Sequence, residues 1–134
     1  FPEATISQSF EVKDFKTGAV RMAAEAAVPI VPMITFGGQR LWTKGRKREM
    51  TRGTLVALTV GAPMTVTPDE DPAQATARLR AAMQELYGQR LEDYEPKPTA
   101  GAWWWPARHG GGAPTLEQMR EKEASDRAKR EGTG

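Results

Sequence analysis

Between Phe15 and Ala26 the apolar residues Phe15, Ala19, Met22, Ala23 and Ala26 recur at helical spacing, while Lys16, Arg21 and Glu25 lie off that face. The spacing predicts a helix capped by Asp14. It ends at Val28-Pro29, because the residue before a proline is pushed out of the α region. The next segment, "VPIVPMITF", is apolar at nearly every position and reads as a strand buried on both faces. Pro32 within it argues for an edge, a bulge or a kink. "TLVALTVGAPM" reads as a second strand, ended by Gly61 and Pro63. "TPDEDP" is a turn into another helix, with Asp69 or Asp71 as cap and Pro72 or Ala73 at the first helical position. Ala75, Leu79, Ala82, Met83 and Leu86, continued by Tyr87 and Leu91, form one stripe that packs this helix on the sheet as far as about Tyr94. Gly88 weakens that helix by about 1 kcal/mol.

After Glu95 the pattern changes. "PKPTAGAWWWPARHGGGAP" has no periodicity, and "TLEQMREKEASDRAKREGTG" reads as a solvated helix with a fraying end. Residues 115–131 hold five acids and five bases, with only Leu116 and Met119 large and apolar. The chain therefore divides into an α/β portion, residues 1–95, and an irregular C-terminal tail, residues 96–134. The expected fold class is α/β, a mixed sheet flanked by helices.

Composition narrows the chemistry. Only 39% of the 134 residues are hydrophobic, and 13 Gly and 10 Pro add turns rather than core. There is no cysteine, which excludes disulfides, thiolate nucleophiles and Cys-based metal sites. No run of about 18 apolar residues is present to span a bilayer. A net charge of +2 does not by itself imply nucleic acid, and no nucleic-acid partner is expected.

The opening "FPEATIS" has no helical period and carries Glu3, Thr5 and Ser7 beside Pro2. Lys13 and Lys16 follow, the latter expected on the first turn of a helix. A helix N-terminus offers unpaired N–H groups and the positive end of a dipole, so hydroxyls and a lysine there make a phosphate cradle. A polar turn leading into a helix would read the same way.

Three blocks in order, "FPEATIS", "FKTGA" and "VPIVP", resemble the glycerolipid acyltransferase family, which carries Phe-Pro-Glu-Gly-Thr-Arg-Ser, Phe-Lys-x-Gly and Val-Pro-Ile-Val-Pro. "RLWTKG" at residues 40–45 also looks like family members from actinobacteria. The resemblance spans residues 1 to about 95 and implies a partial acyltransferase fold. It also implies acyl transfer from a coenzyme A or acyl-carrier-protein thioester to a lysophospholipid hydroxyl, with no other cofactor, giving phosphatidic acid from lysophosphatidic acid. By the same resemblance Phe1, Pro2, Glu3, Thr5 and Ser7 help bind the acceptor's glycerol phosphate, with Lys16 nearby. Ala4 and Ile6 replace the family's Gly and Arg, so phosphate binding shifts onto Lys16 and Arg40, with Lys44 next to them. The family's general base is a His paired with an Asp five positions on. The lone histidine, His109, stands downstream of every matching block with no Asp at that spacing and reads as a loop residue. No catalytic residue is therefore expected here; the pair is expected upstream of Phe1, and this fragment alone is expected to be inactive.

Two further features bear on location. Arg40 to Arg52 contains six cations and one acid around Leu41 and Trp42. That composition suits an anionic membrane surface, where each cation gains about 1 kcal/mol and Trp favours the interface; it also suits a solvated loop. Trp103, Trp104 and Trp105 either anchor at an interface or pack the tail. With the family resemblance, these place the protein peripherally on the cytoplasmic face of the plasma membrane. The reading from another class is a non-catalytic anionic-lipid-binding module, either a degenerate paralogue or a fragment that stands alone; a sister acyltransferase for a different lysolipid acceptor would carry the same blocks.

Overall fold

The computed structural model describes residues 8–132, apart from the Arg130 side chain. The opening residues Phe1, Pro2, Glu3, Thr5 and Ser7 lie outside the described residues. The chain forms two units, one comprising Val12–Pro96 and the other joining residues 8–11 to residues 97–132.

In the first unit, α1 spans Gly18–Ala26. It begins later than the sequence pattern suggests. Thr17 is the N-cap and makes no side-chain capping bond. Asp14 instead faces α2 (Pro72–Asp93), 3.5 Å from the Arg80 guanidinium. The end of α1 is a left-handed turn at Ala27, φ 54°, where the Ala27 and Val28 amides bond back to the Ala24 and Ala23 carbonyls. The buried face also differs from the expected one. Val20 and Ala23 are buried, with Phe15 and Ala24 packed beside them, whereas Met22 is 68% exposed. Alanines carry too little apolar area to fix which face turns inward. The one branched aliphatic in the helix, Val20, meets Met64, Val66, Ala75 and Leu79 and decides it.

β1 (Met33–Phe36) and β2 (Ala57–Val60) form an antiparallel pair, with Met33 opposite Val60 and Phe36 opposite Ala57. Its burial corrects the expectation of a strand covered on both faces. Ile34 and Phe36 are buried, while Met33, Thr35, Leu58 and Val60 are exposed on the other face. Pro32 precedes the strand and needs no ladder donor; its carbonyl accepts from the Gly61 amide at 2.8 Å. The ladder resumes with Ile30 opposite Met64, one residue out of step, so Ala62-Pro63 forms a bulge.

α2 begins where the acids and the proline place it. Asp71 accepts from the Ala73 and Gln74 amides, and Pro72 occupies the first turn. Ala75, Leu79 and Leu91 are buried along the expected stripe. Further along the helix, Tyr87 and Tyr94 meet Phe36 edge-on at 6.0 and 5.3 Å. With α2 on one face of a small sheet and α1 packed against α2, the unit is mixed α/β, compatible with part of an acyltransferase fold.

The second unit joins a turn-rich segment to one helix. Trp105 is buried, its indole N–H donates to the His109 carbonyl at 3.1 Å, and Trp104 packs edge-on against it. Trp103 meets Phe10 edge-on at 6.2 Å. The indoles thus pack within the unit. α3 (Leu116–Glu131) is a charged helix with a capping box, Thr115 bonding the Gln118 amide and Gln118 bonding back. Met119 is its buried anchor.

Candidate functional site

Local chemistry at the start of α1 leaves the helix end open. Among the described residues, Thr17 does not cap it, no acid occupies the first turn, and a Cβ added at Gly18 would meet nothing within 4 Å. Short of a capping side chain, the first-turn amides and the positive end of the helix dipole suit an anion. Lys16 lies one residue before the cap, not on the first turn as its sequence spacing suggests. Its side chain is exposed, and among the described residues it has no ion-pair partner. The segment leading to it is fixed from α2: Arg80 Nε donates to the Lys13 carbonyl at 3.0 Å, and Arg80 also pairs with Asp14.

Arg40 is placed differently. It closes a short 3-10 turn, Gly38–Arg40, at the end of β1, and its guanidinium donates to the Tyr94 hydroxyl at 3.5 Å. It is half-buried, whereas Lys44, four residues on, is exposed. α2 serves as a ruler between the two cations. The Lys16 approach is held at Arg80 and Arg40 at Tyr94, fourteen residues or about 21 Å further along the helix. No contact among the described residues joins Lys16 to Arg40. Together they make two cationic positions, of which Lys16 is beside an open helix end and Arg40 is built into the loop base.

Sequence reasoning missed Tyr94. It is fully buried, and its hydroxyl both accepts from Arg40 and donates to the Leu55 carbonyl at 2.7 Å. Arg40 and Leu55 flank the basic segment, so one hydroxyl gathers both ends of that loop. The sequence marks Tyr94 only as the end of an amphipathic stripe; nothing local to it signals a partner 39 or 54 residues away. His109 is exposed at the end of a 3-10 turn in the second unit, as a loop residue. No cluster of His, Asp and Glu among the described residues could hold a metal ion. Among the same residues no helix is long and apolar enough to cross a membrane.

A family model described as Acyltransferase matches residues 1–35. The chain is 32% identical to human 1-acyl-sn-glycerol-3-phosphate acyltransferase alpha over 108 residues, 75% of the chain and 38% of that protein. It is 32% identical to the mouse protein of the same name over 89 residues, 65% of the chain and 31% of the relative. With the 1-acyl-sn-glycerol-3-phosphate acyltransferase of Limnanthes douglasii it shares 44% over 48 residues, 36% of the chain and 17% of that protein. The chain thus spans well under half the length of these curated relatives. No solved structure matches it.

Proposed function

Because the chain belongs to the glycerolipid acyltransferase family, we propose that it forms the acceptor-binding part of an enzyme that acylates lysophosphatidic acid to phosphatidic acid. The observation that carries this reading is the likeness to human 1-acyl-sn-glycerol-3-phosphate acyltransferase alpha across three quarters of the chain. In the reaction the acceptor's free hydroxyl attacks the thioester carbon of a coenzyme A or acyl-carrier-protein donor. The C–O bond forms, the C–S bond breaks, and the hydroxyl proton ends on the departing thiol by way of a general base.

This chain's residues act on the acceptor's other end. A glycerol phosphate carries its charge a few ångströms from the hydroxyl that reacts, so fixing the phosphate fixes the nucleophile. Lys16 and the open N-terminus of α1 supply charge and N–H donors for that phosphate. By family resemblance, Glu3, Thr5 and Ser7, with Phe1 and Pro2, also take part in binding that phosphate. Arg40 is the weaker candidate, because its guanidinium is engaged by Tyr94 at the base of a loop; Lys44 stands on that same loop.

Steady-state kinetics of Lys16→Ala in the intact enzyme test the assignment. The KM for lysophosphatidic acid should rise about tenfold or more, the loss of one charge-assisted contact, while the KM for the acyl donor stays near the parent value. Equal changes in both constants would remove Lys16 from the acceptor site. An intact enzyme that acylates a different lysolipid in preference would correct the acceptor.

A further inference from the structure

Residues 41–54 form a pinned, outward-facing loop rather than a loose connection between β1 and β2. Its flanks, Arg40 and Leu55, meet on the Tyr94 hydroxyl. Inside that clamp the Glu49 amide bonds the Leu41 carbonyl at 3.0 Å, the Trp42 amide bonds the Gly38 carbonyl, and Thr43 is buried. What the loop presents is the opposite of a core. Trp42 is 65% exposed and Met50 74% exposed, among exposed Lys44, Arg46, Lys47, Arg48 and Arg52. Arg48 stands over the Trp42 ring, 5.0 Å from its centroid. Glu49 is the only acid between Arg40 and Arg52.

A solvated loop gains nothing from exposing an indole and a thioether on a closed scaffold. A groove for a small anion would be concave and would turn its cations inward. Large apolar side chains and cations facing outward together match a surface that is negatively charged at its boundary and apolar a few ångströms deeper. From this geometry we infer that the 41–54 loop docks on an anionic lipid bilayer, Trp42 and Met50 entering the headgroup boundary and the surrounding cations facing lipid phosphates. Trp occupies that boundary because its ring is apolar and its N–H is polar. The clamp at Tyr94 holds the loop in the docking shape, so little ordering cost is left for the binding step. The inference rests on the loop alone and stands whether or not the chain takes part in acyl transfer.

Co-sedimentation of the full chain with vesicles tests it, comparing phosphatidylcholine alone with equal parts phosphatidylcholine and phosphatidylglycerol. The chain should pellet with the anionic vesicles, and added salt should release it. Combined K44Q, R46Q and K47Q substitutions should lower partitioning about 100-fold, close to fivefold per cation. The charge-keeping pair K44R and K47R should bind as the parent does, which separates lost charge from lost structure. Trp42→Ala should weaken binding while leaving its salt dependence unchanged. Equal pelleting with both vesicle types overturns the inference, as does equal loss in the glutamine and arginine variants. Retention on heparin without pelleting on either vesicle also overturns it, in favour of a soluble polyanion.

Discussion

The Tyr94 hydroxyl donates a 2.7 Å hydrogen bond to the Leu55 carbonyl, tying the end of α2 to the approach to β2. The same oxygen accepts from Arg40. Tyr94 is fully buried, while Leu55 is 41% exposed, so the bond spans the boundary between core and loop. Tyr94→Phe keeps the edge-on contact with Phe36 and removes only the hydroxyl. It should cost about 1 kcal/mol, the net contribution of one part-buried hydrogen bond. Urea denaturation should show a lower midpoint with an unchanged slope. An unchanged midpoint would show that the hydroxyl contributes nothing net.

Gly37 approaches the same pair. Its φ is 102°, and a Cβ there would overlap the Leu55 carbonyl oxygen and stand 3.0 Å from the Tyr94 hydroxyl. Gly37→Ala should therefore destabilise by about 2 kcal/mol or more, combining a strained backbone with a collision against main chain. Thermal unfolding followed by circular dichroism would check this; a midpoint within error of the parent would contradict it.

Gly88 and Ala27 invert that case. Gly88 lies inside α2 with nothing within 4 Å of a new Cβ, so Gly88→Ala should stabilise by about 1 kcal/mol. Ala27 holds a left-handed conformation at the end of α1, so Ala27→Gly should also stabilise, by up to about 1 kcal/mol. Both are read as rises in urea midpoint. A fall for Ala27→Gly would mean that the added entropy of the unfolded chain outweighs the local gain, and a fall for Gly88→Ala that the new methyl disturbs a neighbour.

Thr59 sits opposite Ile34 in the β1–β2 ladder, and its buried hydroxyl has no hydrogen-bond partner among the described residues. Thr59→Val keeps the shape and the β-branched character while removing the stranded oxygen. It should stabilise by about 1 kcal/mol in the same denaturation assay. A loss would reveal a partner for that hydroxyl.

Asp71 caps α2 through two amides, so Asp71→Ala should cost about 1 kcal/mol. The neighbouring exposed Asp69→Ala is the control and should change the midpoint little. Equal effects from the two would remove the capping assignment.

The features legible in the sequence are those set by neighbours along the chain. Asp71-Pro72 starts α2 because a carboxylate reaches amides two and three residues on and proline has no amide to lose. The α2 stripe from Ala75 to Leu91 was readable because leucines and methionine mark one face with large apolar area. The family blocks were legible for the same reason, as fixed residue types at fixed spacing.

What the tertiary structure decided concerns partners distant in sequence. Asp14, a plausible cap by position, is drawn to Arg80, 66 residues away, and α1 starts at Gly18 without a side-chain cap. Val20 rather than Met22 turns inward because Met64, Val66 and Leu79 arrive on that side, and an alanine-rich helix has little preference of its own. β1 looked buried on both faces because a run of apolar residues records hydrophobicity but not what covers each face; the described sheet packs on α2 with one face only. The basic loop was visible as composition. Only the meeting of Arg40 and Leu55 on Tyr94 shows that it is a closed scaffold. Local sequence fixes backbone preference within a few residues, while burial and pairing belong to whichever distant groups fill the remaining space.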